Sequence, residues 1–103
     1  MPNREAQIKA LASDQRLKIL KLLSHPKRHF GDQWSADPAK FGVCMTLIAK
    51  ALGVSQPTLS RHMDLLRLAG FVTTKRHERW VYCQRHERSL AEYHRWLGRK
   101  LGV

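Results

Sequence analysis

Between Gln56 and His62 the chain sets Gln56, Thr58, Ser60, Arg61 and His62 close together, a group whose chemistry is the reading of nucleic-acid edges. A glutamine amide can bond adenine through two hydrogen bonds and an arginine can do the same with guanine. Threonine and serine hydroxyls can meet bases or phosphates. Which of these side chains reads a base and which only positions the protein is left open by residue type alone. A second set, Lys75, Arg76 and Arg79, is purely cationic and suits a phosphate backbone. Catalytic chemistry has no comparable support. None of the histidines has a serine and aspartate arrangement resembling a triad. Glu78 and Glu87 sit among arginines and read as charge partners, not as a general acid and base. His77, His86 and His94 read as solvated partners of neighbouring acids, and no enzyme is expected.

The elements that must position the first set are two helical patterns between Thr46 and Gly70. In the first, Leu47, Ile48, Ala51 and Leu52 fall three and four apart and give a short helix one apolar stripe. Gly53 ends it, since glycine takes the left-handed cap conformation at little cost. Ser55 is a good N-cap for the next helix, and Pro57 is tolerated in a first turn whose N–H groups lack helical partners. Leu59, Met63 and Leu66 then form a buried stripe, so Thr58 and Arg61 point away from it. Gln56 and Ser60 lie on one flank and His62 on the other. Gly70 closes the helix. Two helices joined at Gly53-Val54 have the outline of a helix-turn-helix, whose second helix enters the major groove.

With 103 residues the chain fits a single domain, 1–103, with one core. Lys+Arg 19 against Asp+Glu 8 gives a formal net charge of +11, and an excess that large calls for an acidic partner. Nucleic acid leads and an anionic membrane surface is the rival. No apolar run reaches membrane-spanning length and the N-terminal residues lack a signal-peptide core, so a cytoplasmic protein is expected. Two cysteines are too few for a secreted disulfide framework.

Around the central stretch, Glu5 to Ala12 reads as a short helix carrying Ile8 and Leu11. Ser13 or Asp14 can cap a second helix through Leu17, Ile19, Leu20, Leu22 and Leu23. From 25 to 43 the helical pattern stops: Pro26, Gly31, Pro38 and Gly42 interrupt a long loop anchored by Phe30, Trp34 and Phe41. Phe71 to Lys75 and Trp80 to Gln84 read as two strands joined by the turn Arg76-His77-Glu78-Arg79, which lacks an Asn-Gly or Gly-Gly signal. A hairpin there makes a wing with the basic residues at its tip. Ser89 and Glu92 form a capping box for a final helix to about Leu101, whose stripe is Leu90, Tyr93, Leu97 and Leu101 with Trp96 at its edge. So much exposed apolar area calls for a surface, either the helix's own domain or a second copy. The fold class expected is mainly α with a small β-hairpin: a winged helix-turn-helix of about five helices and a two-stranded wing.

Cys44 reads first as a packed thiol, with a soft-metal ligand or a redox thiol as alternatives, and Cys83 reads as structural. A Cys44 to Cys83 disulfide is one way to build a redox switch. His25 and His29, four apart, offer a metal trio with Cys44, although Pro26 argues against the helix face that trio needs. No metal or other cofactor is expected, with Cys44 the one low-ranked candidate ligand.

These residues resemble a known family over nearly the whole chain apart from the long loop. The phrase from Leu11 to Leu20 (LASDQRLKIL), the run from Ala51 to Met63 (ALGVSQPTLSRHM) and Trp80-Val81-Tyr82 after a basic turn are similar to ArsR-type winged-helix repressors. The resemblance implies a homodimer paired through its first and last helices, here Ile8, Leu11, Leu90, Tyr93, Trp96 and Leu97. It implies binding to an imperfect palindrome in double-stranded DNA, through Ser55, Gln56, Thr58, Ser60, Arg61, His62, Lys75, Arg76 and Arg79. It also implies release on sensing a signal, which the residues do not identify. Arsenic- and cadmium-type members carry Cys-x-Cys or Cys-x-Gly before the turn; here the segment is Cys44-Met45-Thr46, with one cysteine retained. A soft metal needs three or four thiolate or imidazole ligands in a closed geometry, which one cysteine does not supply. The zinc pattern of other members, an aspartate and two histidines on the last helix, is absent: His86 and His94 stand there without aspartate. The expected function is that of a dimeric, sequence-specific DNA-binding repressor. The alternatives are a winged-helix protein-interaction or RNA-binding module and, more weakly, a membrane-surface binder using Tyr93, Trp96 and Leu97.

Overall fold

A computed structural model describes residues 3–31, 33 and 37–103. Its first two helices, α1 (Arg4–Leu11) and α2 (Asp14–Ser24), start where side-chain oxygens can accept from free backbone N–H groups. Asn3 caps α1 through the N–H of Ala6, and Ser13 caps α2 through that of Arg16. Two short helices follow, α3 (Pro26–Phe30) and α4 (Pro38–Phe41), then β1 (Val43–Cys44) and α5 (Met45–Leu52). The chain continues through α6 (Gln56–Leu68), β2 (Val72–His77), β3 (Trp80–Arg85) and α7 (Glu87–Leu101).

The 25–43 segment, expected as a loop, therefore contains two short helices. Pro26 does stop α2, but it is also the first residue of α3, a position where a missing N–H costs nothing. Phe30 is buried and Phe41 half-buried, as anchors should be. Trp34 lies outside the described residues.

Leu59, Met63 and Leu66 of α6 are 0, 2 and 0 % exposed and share one buried cluster with Ile19, Leu20 and Leu23 of α2, Ile48 of α5, Phe71, and Val72 at the start of β2. Burying each such side chain contributes roughly 1.5–3 kcal/mol before the entropy of ordering it is subtracted. The core thus sits directly beneath α6 and fixes which of its faces looks outward.

The wing is the outer part of a three-stranded antiparallel sheet in the order β1-β3-β2. The third strand, β1, was not expected; it pairs Val43 with Cys83 and Cys44 with Tyr82. Gly42 makes this approach possible: a Cβ there would lie 2.6 Å from the Cys83 carbonyl oxygen. The hairpin is also tighter than expected. Its strands extend to the pair His77 and Trp80, leaving Glu78-Arg79 as a two-residue loop in place of the four residues from Arg76 to Arg79. Glu78 achieves this at φ 57°, a left-handed conformation seldom adopted by glutamate, which hid the turn from its sequence signal.

Two expectations at α7 change. Its N-cap is His86, whose ring nitrogen accepts from the Ser89 N–H, and not Ser89 itself. Glu92, freed from the expected capping box, reaches across to Arg4 with oxygen–nitrogen distances of 2.5 and 2.8 Å. Tyr93, assigned to a dimer interface, is 5 % exposed and packs edge-on against Phe71 in the core. Tyr93 is the buried residue of α7, and Leu90, Trp96 and Leu97 pack partly against the same core. No helix among the described residues is long and apolar enough to cross a membrane.

Candidate nucleic-acid interface

The turn between α5 and α6 is set by Gly53, which takes φ 71° and carries an N–H back to the carbonyls closing α5. Ser55 then opens α6: its Oγ accepts from the Thr58 N–H at 3.3 Å and donates to Thr58 Oγ1 at 3.0 Å. Four residues expected to meet nucleic acid, Gln56, Thr58, Ser60 and Arg61, are exposed on this helix. Their spacing against the buried Leu59 and Met63 puts them on its outer side.

These side chains are not all held alike. Gln56 donates from Nε2 to Thr46 Oγ1 at 3.0 Å, which ties the first residue of α6 to α5. His62, half-buried, has its Nδ1 at 3.0 Å from Arg16 Nη1. Desolvation of the ring, with the positive charges of Arg16 and then Arg61 beside it, pushes the His62 pKa below its ordinary value. Both causes disfavour the imidazolium relative to the neutral ring.

On the wing, Lys75, Arg76 and Arg79 are all exposed. Arg79 lies over the Trp80 ring, 5.1 Å from its centre, which holds the guanidinium at the hairpin tip. The two basic regions flank one core, to which Leu66 of α6, Phe71, and Val72 at the start of β2 all belong.

The cysteines are placed differently. Cys44 is 3 % exposed, and its N–H donates to Gln33 Oε1 at 2.8 Å. Cys83 is fully buried, and its thiol is pushed up to about 12, first by burial and then by the nearness of Cys44. Both thiols are free. Cys44 faces Tyr82 and Cys83 faces Val43 in the ladder, so the pleat sends the two thiols to opposite faces of the sheet, away from a disulfide. His25 hydrogen-bonds Ser24, and His29 is exposed beside Phe30. Among the described residues no three histidine, cysteine or acidic side chains gather in a metal-binding group.

Several anchoring residues carried no sequence signal. Gln33 is buried and bonds both the Gly42 carbonyl and the Cys44 N–H, fastening β1. Arg4 lies 4.5 Å from the centre of the Trp96 ring while pairing with Glu92, and Gln7 bonds the Ala69 carbonyl at the end of α6. Arg16 of α2 reaches both α1 and α6.

Comparison with known proteins agrees with this geometry. Residues 44–74, the span from β1 through the recognition helix into the wing, match the family described as bacterial regulatory protein, arsR family. The chain is 33 % identical over 84 residues to the uncharacterized HTH-type transcriptional regulator YbzH of Bacillus subtilis, covering 82 % of this chain and 84 % of that protein. A crystal structure of an ArsR family transcriptional regulator superposes with a TM-score of 0.71 at 18 % identity, over 96 % of this chain and 92 % of that one. The winged helix-turn-helix DNA-binding domain Mb0332 from Mycobacterium bovis, a homodimer solved by NMR, superposes with a TM-score of 0.60 at 24 % identity, over 90 % of this chain and 81 % of that one. The extent of the identity to YbzH, the family match across the helix-turn-helix and the shared fold lead to one conclusion: this chain belongs to the ArsR family and is a transcriptional regulator with a winged helix-turn-helix DNA-binding domain, not an enzyme.

Proposed function

We propose that the protein is a cytoplasmic, homodimeric repressor that binds a specific palindrome in double-stranded DNA and is released by a signal. The observation that carries this reading is the outer side of α6, where Gln56, Thr58, Ser60 and Arg61 are exposed above a stripe of almost fully buried apolar residues. In this reading Arg61 and Gln56 contact base edges, and Ser55, Thr58, Ser60 and His62 contribute backbone or base contacts around them. Lys75, Arg76 and Arg79 lie along phosphates.

Dimerisation is supported by apolar area left at the two ends of the chain. Ile8 and Leu101 are 50 and 67 % exposed, and Leu11, Leu90, Trp96 and Leu97 are half-buried. Mb0332, of the same fold, is a homodimer. Two-fold symmetry would then set the recognition helices roughly 34 Å apart, one turn of DNA.

Selection of bound sequences from random duplex DNA tests the reading. Enrichment of a palindrome with half-sites one helical turn apart, bound by a species of twice the monomer mass in light scattering, is the expected result. No enrichment, with RNA competing equally, would overturn it. Repeating the selection with zinc, arsenite and an oxidant tests the release signal; retention of DNA with all three is expected from the burial of Cys44 and Cys83.

A further inference from the structure

Arg16 makes three contacts that together join three helices. Its Nε donates to the Ala10 carbonyl at 2.6 Å and its Nη2 to the Lys9 carbonyl at 3.1 Å, both near the end of α1. Its Nη1 meets His62 Nδ1 on α6 at 3.0 Å. Guanidinium has donors and no acceptor, so Nδ1 must carry the lone pair in this contact. The proton of a neutral His62 therefore sits on Nε2, and the ring is left with one N–H donor besides its bond to Arg16. Two of the three contacts go to main-chain carbonyls, which cannot rotate away, so the guanidinium plane is fixed before it meets the histidine.

We propose that Arg16 is a positioning residue for DNA binding: it holds His62 in the Nε2–H tautomer at the flank of the recognition helix and presents that N–H to a phosphate oxygen of the DNA. This rests on the reading of α6 as the DNA-contacting helix. Phosphate is the partner because His62 is half-buried on the flank of α6, whereas the exposed outer side carries Gln56, Thr58 and Arg61. The charged groups that act on the ring are Arg16 from α2 and Arg61 on α6 itself. From α1 the neighbouring group is the Lys9 main chain, whose side chain is paired with Glu5.

The discriminating measurement is a double-mutant cycle in DNA binding combined with nitrogen NMR of His62. Arg16→Gln is expected to weaken binding to the selected duplex about tenfold, the loss that accompanies roughly one strong hydrogen bond. In a His62→Leu background the same change is expected to cost little, because Arg16 then has no histidine to position. Equal cost in both backgrounds would mean that Arg16 serves only to close α1, and would overturn the proposal. NMR of the DNA-free protein should show the Nε2–H tautomer in the wild type, with His62 titrating at higher pH in Arg16→Gln because a neighbouring positive charge is gone. A wild-type Nδ1–H tautomer would equally overturn it. That spectrum needs no DNA, so it judges the Arg16 contact even if the selection enriches no sequence and the DNA reading fails. Should Arg16→Gln fold poorly, Arg16→Lys keeps the charge but loses the planar fork, and the same cycle applies.

Discussion

At its C-terminal end α5 passes the chain through Gly53 and Ser55 to a helix whose Gln56, Thr58, Ser60 and Arg61 are exposed; at its N-terminal end it begins on Cys44, enclosed by Gln33 and the β1–β3 ladder. Both ends carry residue types that could do chemistry, yet only one presents them. A groove-reading side chain must give up water to a partner, so it is left exposed on a rigid support. A sensing thiol needs an accessible, ionisable sulfur or a closed set of co-ligands. Cys83, with its thiol pushed up to about 12, is set against the first requirement. Burial decides between the two ends more than residue identity does.

This contrast can be broken in several ways. Leu59→Ala removes a fully buried side chain beneath the outer face of α6 and should cost about 2–5 kcal/mol of unfolding free energy in urea. A small loss would mean that the core does not fix the recognition helix. Arg61→Ala, three residues from exposed Thr58, should leave the unfolding free energy within about 0.5 kcal/mol. It should nevertheless lower discrimination between selected and random duplex by about 1–3 kcal/mol. Unchanged sequence preference would remove Arg61 from the base-reading set.

A smaller effect should appear away from both ends of α5, at the pair joining α1 to α7. The Arg4 guanidinium, chiefly through its hydrogen bond, holds the Glu92 carboxyl below its usual range. Its stabilisation is therefore fully present above the ordinary glutamate pKa and is lost as pH falls through the lowered folded value. Tm for Glu92→Gln should lie modestly below that of wild type at neutral pH, and the gap should close in acid. A gap independent of pH would show that the carboxylate charge is not what matters. The smallest effect is expected at the cysteines: neither Cys44 nor Cys83 should react with iodoacetamide at pH 7.5 until the protein is unfolded. Rapid labelling of native Cys44 would reopen it as a sensing thiol.

Some parts of the fold are legible from neighbouring residues alone. Gly53, Ser55 and the stripe Leu59, Met63 and Leu66 define α5, the turn and α6 because helix caps and apolar periodicity act within one or two turns. Pro26 misled because the same missing N–H that ends one helix suits the first turn of the next. Ser89 and Glu92 have capping-box spacing, but His86 supplied the cap and Arg4, 88 residues away, took the glutamate. Glu78 takes a conformation that its side chain does not favour, and the hairpin closes there all the same.

The sequence by itself determined a basic winged helix-turn-helix with a polar recognition face, since charge, caps and periodicity are properties of short stretches. Only the tertiary structure decided that Tyr93 belongs to the core, that Cys44 and Cys83 lie on opposite faces of a sheet, and that Arg16 meets His62 from 46 residues away. Such contacts form when separate elements pack around a common core, and they leave no repeating pattern along the chain from which to read them.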